Sequence, residues 1–214
     1  MLRRKTVWLL TLVFCMPLAL PLAAETLTFT LDPATTTIEL GFGATLHSVA
    51  GTLQVKEGTI RLDPATGQAS GRIVIDATSA ETGVTRRDKK MHEKILESPK
   101  FPLMVFTVER VSGMLNRTGR SEIELHGTLA MHGVQRPMDL VVTAKANGDK
   151  IAAVGHVTIP YLKWGMADPS FFILRVDKEV HVQIKANGSL TSDASVPSSQ
   201  LSGAIPAPPV PPSS

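Results

Sequence analysis

The chain has 214 residues, with 22 basic against 19 acidic, six histidines, one cysteine and 43% hydrophobic residues. A net charge of +3 is no strong basic excess, so composition gives no reason to expect nucleic acid or an anionic membrane surface as partner. A single cysteine excludes an internal disulfide.

In chain order, Arg3, Arg4 and Lys5 precede an apolar run from Val7 to Leu20, and the small pair Ala23 and Ala24 follows. This is the layout of a secretory signal peptide. Pro17 and Pro21 break the run below the roughly 20 residues a membrane span needs. Bulky Phe14 before Cys15 does not suit a lipid-modified cysteine. The expectation is a signal peptide over 1–24 and a mature chain from Glu25, periplasmic or secreted. Its removal takes three of the 22 basic residues and leaves 19 against 19 acidic, and the cysteine goes with it.

Beyond it, apolar residues recur mostly at period two. TLTFTL (26–31), TIELGFGATL (37–46), GTLQVKEGTIRL (51–62), GRIVIDA (71–77), LMVFTVERV (103–111), EIELHGTLAM (122–131), MDLVVTAKA (138–146), KIAAVGHVTI (150–159) and EVHVQIKANGSL (179–190) are predicted strands. So many strands in one short domain indicate an all-β barrel or sandwich. Asp63-Pro64-Ala65-Thr66-Gly67 and Asn147-Gly148-Asp149 supply the turn chemistry of antiparallel hairpins. Glycines within strands, at Gly41, Gly43, Gly51, Gly127 and Gly155, suit strands that bend sharply, and closure into a barrel removes exposed edges.

One segment departs from this pattern. Val84 to Glu97 holds mostly good helix formers, with Met91 and Ile95 on one face, Val84 and Leu96 near it, and Arg87, Lys89, Lys90, Glu93, Lys94 and Glu97 largely elsewhere. Pro99 and Pro102 end the helix and set extended geometry for the next strand. A helix over the end of a barrel, as plug or lid, is the simplest use of it. The final stretch, 191–214, is rich in Pro, Ser and Ala without apolar periodicity and is expected to be a disordered tail, leaving one domain over 25–190.

These pieces resemble the YceI-like family, secreted β-barrel proteins that bind polyisoprenoid lipids. The resemblance runs through LDPATTTIELGFGATLHSVAGTL, then RRDKKMH and KFPLMVF, then ELHGTLAMHGVQRPMDLVV, and ends with IPYLKWGM and LRVDKEVHVQI. In the helix, RRDKKMHEKI stands where the commoner family form has an RDxHL-type run. The resemblance implies a single antiparallel lipocalin-like barrel of about eight strands, a helix near its mouth, and an apolar interior holding a long isoprenoid chain.

Pointing the apolar set of each strand inward gives Ile38, Leu40, Phe42, Leu53, Val55, Ile73, Ile75, Met104, Phe106, Ile123, Leu125, Leu129, Leu140, Val142, Ile159, Val180, Val182 and Ile184 as the expected lining. Arg87, Asp88, Met91, Ile95, Trp164 and Phe172 are expected at the mouth or rim. Asp88 there either meets the helix dipole or joins Arg86 and Arg87 in steering a polar or phosphorylated head group. Tyr161, Trp164, Phe171 and Phe172 either close the barrel end or stack over a ligand.

His47, His92, His126, His132, His156 and His181 show no metal-ligating spacing, and His126 and His132 lie roughly 20 Å apart along one strand. No nucleophile elbow, P-loop or dinucleotide motif occurs, and pairs such as Asp32 with Glu39 or Asp76 with Glu81 read as solvated charges rather than acid and base. The expectation is therefore an exported carrier or store for an isoprenoid lipid, with no catalytic residue, metal or cofactor beyond the lipid itself. Transient membrane contact and a homodimer are compatible with it. A metal-dependent or hydrolytic stress-related protein using the histidines is the competing reading. The triplets at Asn116 and Asn187 matter only in a glycosylating host.

Overall fold

The computed structural model describes residues 25–44, 47–170 and 175–194. The expected signal peptide and most of the expected tail lie outside these residues, as do Phe171 and Phe172. Among the described residues the strands are β1 (Glu25–Leu31), β2 (Thr37–Ala44), β3 (His47–Leu62), β4 (Gln68–Glu81), β5 (Leu103–Gly113), β6 (Thr118–Met131), β7 (Val134–Asn147), β8 (Lys150–Ile159) and β9 (Val180–Ala194). The helix α1 (Thr85–Lys94) joins β4 to β5, and short 3₁₀ turns occupy Pro33–Thr35 and Tyr161–Trp164.

Every neighbouring pair is antiparallel, and the order closes on itself into an eight-stranded barrel. Nine strands make eight positions because β1 and β2 share one. Thr28 pairs with Arg61 of β3 and Thr191 of β9, while Ile38 pairs with Leu53 and Ile184 of those same two strands. The shared strand is broken by Asp-Pro-Ala-Thr. Asp32 accepts from the Ala34 N–H at 3.0 Å and the Thr35 hydroxyl at 2.9 Å, and proline presets the turn. Asn187 of β9 closes the gap by donating from its side chain to the Thr35 carbonyl at 2.8 Å. The same tetrapeptide at 63–66 folds the same way, with Asp63 accepting from Ala65 N and the Thr66 hydroxyl, but there it turns the chain from β3 into β4.

Strand pairing runs past Leu190 to Ala194, which pairs with Glu25, so the domain extends further than the sequence pattern suggested. β3, β4, β6 and β7 also begin before their alternating segments. Bulges bend the sheet, as at Val108–Arg110 opposite Gly127. A Cβ on Gly127 would lie 2.1 Å from the Thr107 carbonyl oxygen, so only glycine admits this approach.

The two ends of the barrel differ. At one end lie α1, the 160–179 connection and the tight β6–β7 hairpin; at the other, short turns join β3 to β4, β5 to β6 and β7 to β8.

Candidate functional site

Period-two alternation points one residue in two at the barrel axis, and here nearly all of those are apolar. They enclose a cavity of about 660 Å³, within the range of small-molecule sites. All eighteen residues of the expected lining, from Ile38 to Ile184, border it. Phe106 and Leu129 are almost fully withdrawn from solvent, at 3% exposure each.

The cavity also touches residues outside that set, including Leu27, Phe29, Ile60, Leu62, Val111 and Ile151. Bulges explain several of them. In β3 the inward parity is odd at Leu53 and Val55 and even at Ile60 and Leu62, and the ladder slips between Val55 and Glu57. In β5 it changes from Met104 and Phe106 to Val111 across the slip at Val108–Arg110. These two slips leave a sequence trace: two adjacent charged residues, Lys56-Glu57 and Glu109-Arg110, interrupt the alternation.

The mouth is built from side-chain hydrogen bonds. Arg87, Met91, Ile95 and Leu96 of the helical segment border the cavity, as does Lys90. Asp88 does not. It turns back to Thr82, accepting from the Thr82 N–H at 2.9 Å and from the Thr82 hydroxyl at a shorter distance. Val84 is the exposed residue preceding α1, not part of its apolar face. His92 fixes the other side of the helix: Nε2 donates to the Ala80 carbonyl at 2.8 Å, and Nδ1 pairs with the buried Ser98 hydroxyl at 2.8 Å.

The chain leaves α1 through Glu97, which with His132 is one of two non-glycine residues at positive φ among those described. The two meet. His132 Nε2 lies 2.7 Å from the Glu97 carboxylate, and its Nδ1 lies 3.2 Å from the Trp164 carbonyl oxygen. The contact ties the exit of α1 to the β6–β7 hairpin and to the 3₁₀ turn.

Trp164 is at the mouth end but does not border the cavity. It is buried at 4% exposure, and its indole N–H donates to the Leu129 carbonyl at 3.1 Å. Tyr161 does border the cavity, and its hydroxyl donates to the Asp177 carbonyl at 3.1 Å. Burial, then the negative charges of Asp168 and Asp177, push that hydroxyl's pKa above its ordinary value and keep it a neutral donor. Asp177 in turn accepts from Gly43 N at 3.1 Å and clasps the 160–179 connection to the end of β2.

On the outer face, Glu124, His126 and Asp139 bring possible metal-ligand atoms within 4.8 Å of one another. His126 Nδ1 is already 2.7 Å from Asp139, and Nε2 is 2.8 Å from the Ser112 hydroxyl. Hydrogen bonding occupies both ring nitrogens. Sequence spacing missed this group because Asp139 joins through the β6–β7 register, opposite His126.

Residues 29–188 match the sequence profile of the YceI-like domain. No curated protein matches the chain significantly. Among solved structures, BcnA of Burkholderia cenocepacia is similar at 18% identity and a TM-score of 0.59, covering 73% of this chain and 98% of its own. A polyisoprenoid-binding domain from Saccharophagus degradans, implicated in plant cell wall breakdown, is similar at 16% identity and a TM-score of 0.58, covering 75% of this chain and 97% of its own. The YCEI protein of Campylobacter jejuni is similar at 19% identity and a TM-score of 0.52, covering 62% and 79%. At these identities the structures share the fold.

Proposed function

The chain belongs to the YceI-like domain family, and from that footing we propose that it is an exported carrier or store for a long isoprenoid-type lipid, held in the barrel without chemical change. The observation that carries the reading is the continuous apolar wall of the cavity, which leaves a ligand's chain nothing to bond and only water to escape. Burial stabilises by about 0.8 kcal/mol per CH₂, so about ten buried carbons supply about 8 kcal/mol, near micromolar affinity before ordering costs. The Saccharophagus degradans domain, described as polyisoprenoid binding, supports the same ligand class.

The histidines fit this reading better than a catalytic one. His92, His126 and His132 are each occupied by neighbouring protein groups. A carrier in the periplasm or outside the cell would exchange its cargo through the mouth under α1, with transient membrane contact at that end.

The test is refolding of the protein free of lipid, followed by titration with prenols of increasing length. Thermal stability should rise with each added isoprene unit until the cavity is filled. Stability indifferent to every chain length would sink the carrier reading.

A further inference from the structure

The apolar wall accounts for the ligand's tail, and the charged residues at its margin bear on the head. Among the described residues the charged side chains that border the cavity are Arg87, Lys90 and Arg175; no Asp or Glu borders it. We infer that the cargo is an amphiphile with an anionic head, a carboxylate or a phosphate monoester, seated at the mouth against Arg87 and Lys90. The inference rests on the lipid-carrier reading and narrows it.

The helix sets this polarity. Although the charged residues were expected largely off the apolar face, Arg87 and Lys90 border the cavity beside Met91 of α1 and Ile95 just past its end, at spacings of three and four, so one segment offers cations first and apolar groups further on. Arg87 is held in place: its Nε donates to the Thr82 hydroxyl at 2.6 Å and a terminal nitrogen donates to the Thr82 carbonyl at 2.8 Å. Thr82 itself borders the cavity, and Asp88 braces it from behind. A guanidinium has five N–H donors, so three remain for a ligand. That fork matches the oxygens of a carboxylate or phosphate.

Lys90 is exposed, and no acidic partner engages it among the described residues. The nearest acids on the helix are otherwise engaged, Asp88 by Thr82 and Glu93 by Lys89. Arg175, which also borders the cavity, adds positive charge that is partly offset by Asp168, whose carboxyl is held low first by the Ser170 hydroxyl and to a lesser degree by Lys178 and Arg175. A neutral prenol would leave Lys90 with solvent alone. An anionic head supplies its partner beside an exposed lysine, where a charge keeps part of its hydration.

Chain-matched pairs test this directly: geranylgeranyl phosphate against geranylgeraniol, and oleate against oleyl alcohol, each titrated into lipid-free full-length protein. The expected result is roughly tenfold or more tighter binding of at least one acid than of its alcohol. The two acids distinguish phosphate from carboxylate. The preference should shrink at high salt and fall in Lys90→Glu, whose exposed and unpaired side chain leaves the fold intact, and in Arg87→Gln. Alcohols binding as tightly as acids would overturn the anionic head while leaving the carrier reading in place. Failure of all four to bind would overturn both. A preference retained in full by both variants would overturn the assignment to these residues.

Discussion

The two ends of the barrel differ in how the chain crosses them: by short turns at one, by a helix and a long connection at the other. At the far end the chain turns through short loops such as Asp63–Gly67, whose side-chain bonds are local, with a few longer ties such as Val111 N–H to the Gly67 carbonyl and Arg117 to Glu25. At the mouth the decisive contacts join distant segments: Asp177 to Gly43, His132 to Glu97, Trp164 to Leu129. Contacts among α1, the β6–β7 hairpin and the 3₁₀ turn are made by side chains and not by a strand pair, which is what the proposed route for cargo through this end requires.

The largest expected effect comes from separating the two halves. Leu125 lies about midway along β6, and Leu125→Trp would place bulk across the cavity. Excluding about five of ten buried carbons costs about 4 kcal/mol, close to a thousandfold in affinity for a long prenol. A short prenol should still occupy the mouth half, and the fold should survive at a cost of about 1–3 kcal/mol. Equal affinity for the long prenol in well-folded variant would count against the cavity as the binding site.

Next is Trp164→Ala, which empties a buried indole site and strands the Leu129 carbonyl. It should lower stability by about 3–5 kcal/mol in thermal or urea denaturation. The same experiment on His92→Ala should cost about 1–3 kcal/mol, since Ser98 and the Ala80 carbonyl lose their partner. Hydrogen exchange should then quicken in α1 while the far-end strands stay protected. Uniform loss of protection would erase the distinction between the ends.

The smallest effect is expected with acid. The Asp63 carboxyl at the far end is held low chiefly by the Thr66 hydroxyl, and that of Asp168 near the mouth chiefly by the Ser170 hydroxyl. A depressed folded-state pKa gives stability that is complete above the ordinary aspartate range and lost as pH falls through the folded value. Melting temperature should therefore drop below about pH 4, and Asp63→Asn should flatten that decline. An unchanged decline would remove the turn from the account.

Much of the far end and the lining was legible in sequence because both depend on local pattern. Alternation gave the inward face, and Asp-Pro-Ala-Thr gave the hairpin turn. The same tetrapeptide at 32–35 breaks a strand instead, which its neighbours do not reveal; there Asn187 lies opposite and bonds the Thr35 carbonyl. The inward residues after each bulge were missed, since a one-residue slip reverses parity. The mouth was least legible. Asp88 and Trp164, expected at the mouth or rim, lie at that end without bordering the cavity, bonded to Thr82 and Leu129 in ways no pattern showed, and no spacing rule pairs His132 with Glu97.

Mass spectrometry of an organic extract of the purified protein tests the central claim most directly. The account predicts a long apolar chain in stoichiometric amount, ending in an acidic head. A clean extract, obtained again after the protein has been offered isoprenoid lipids, would contradict it and make the barrel interior a core rather than a binding site.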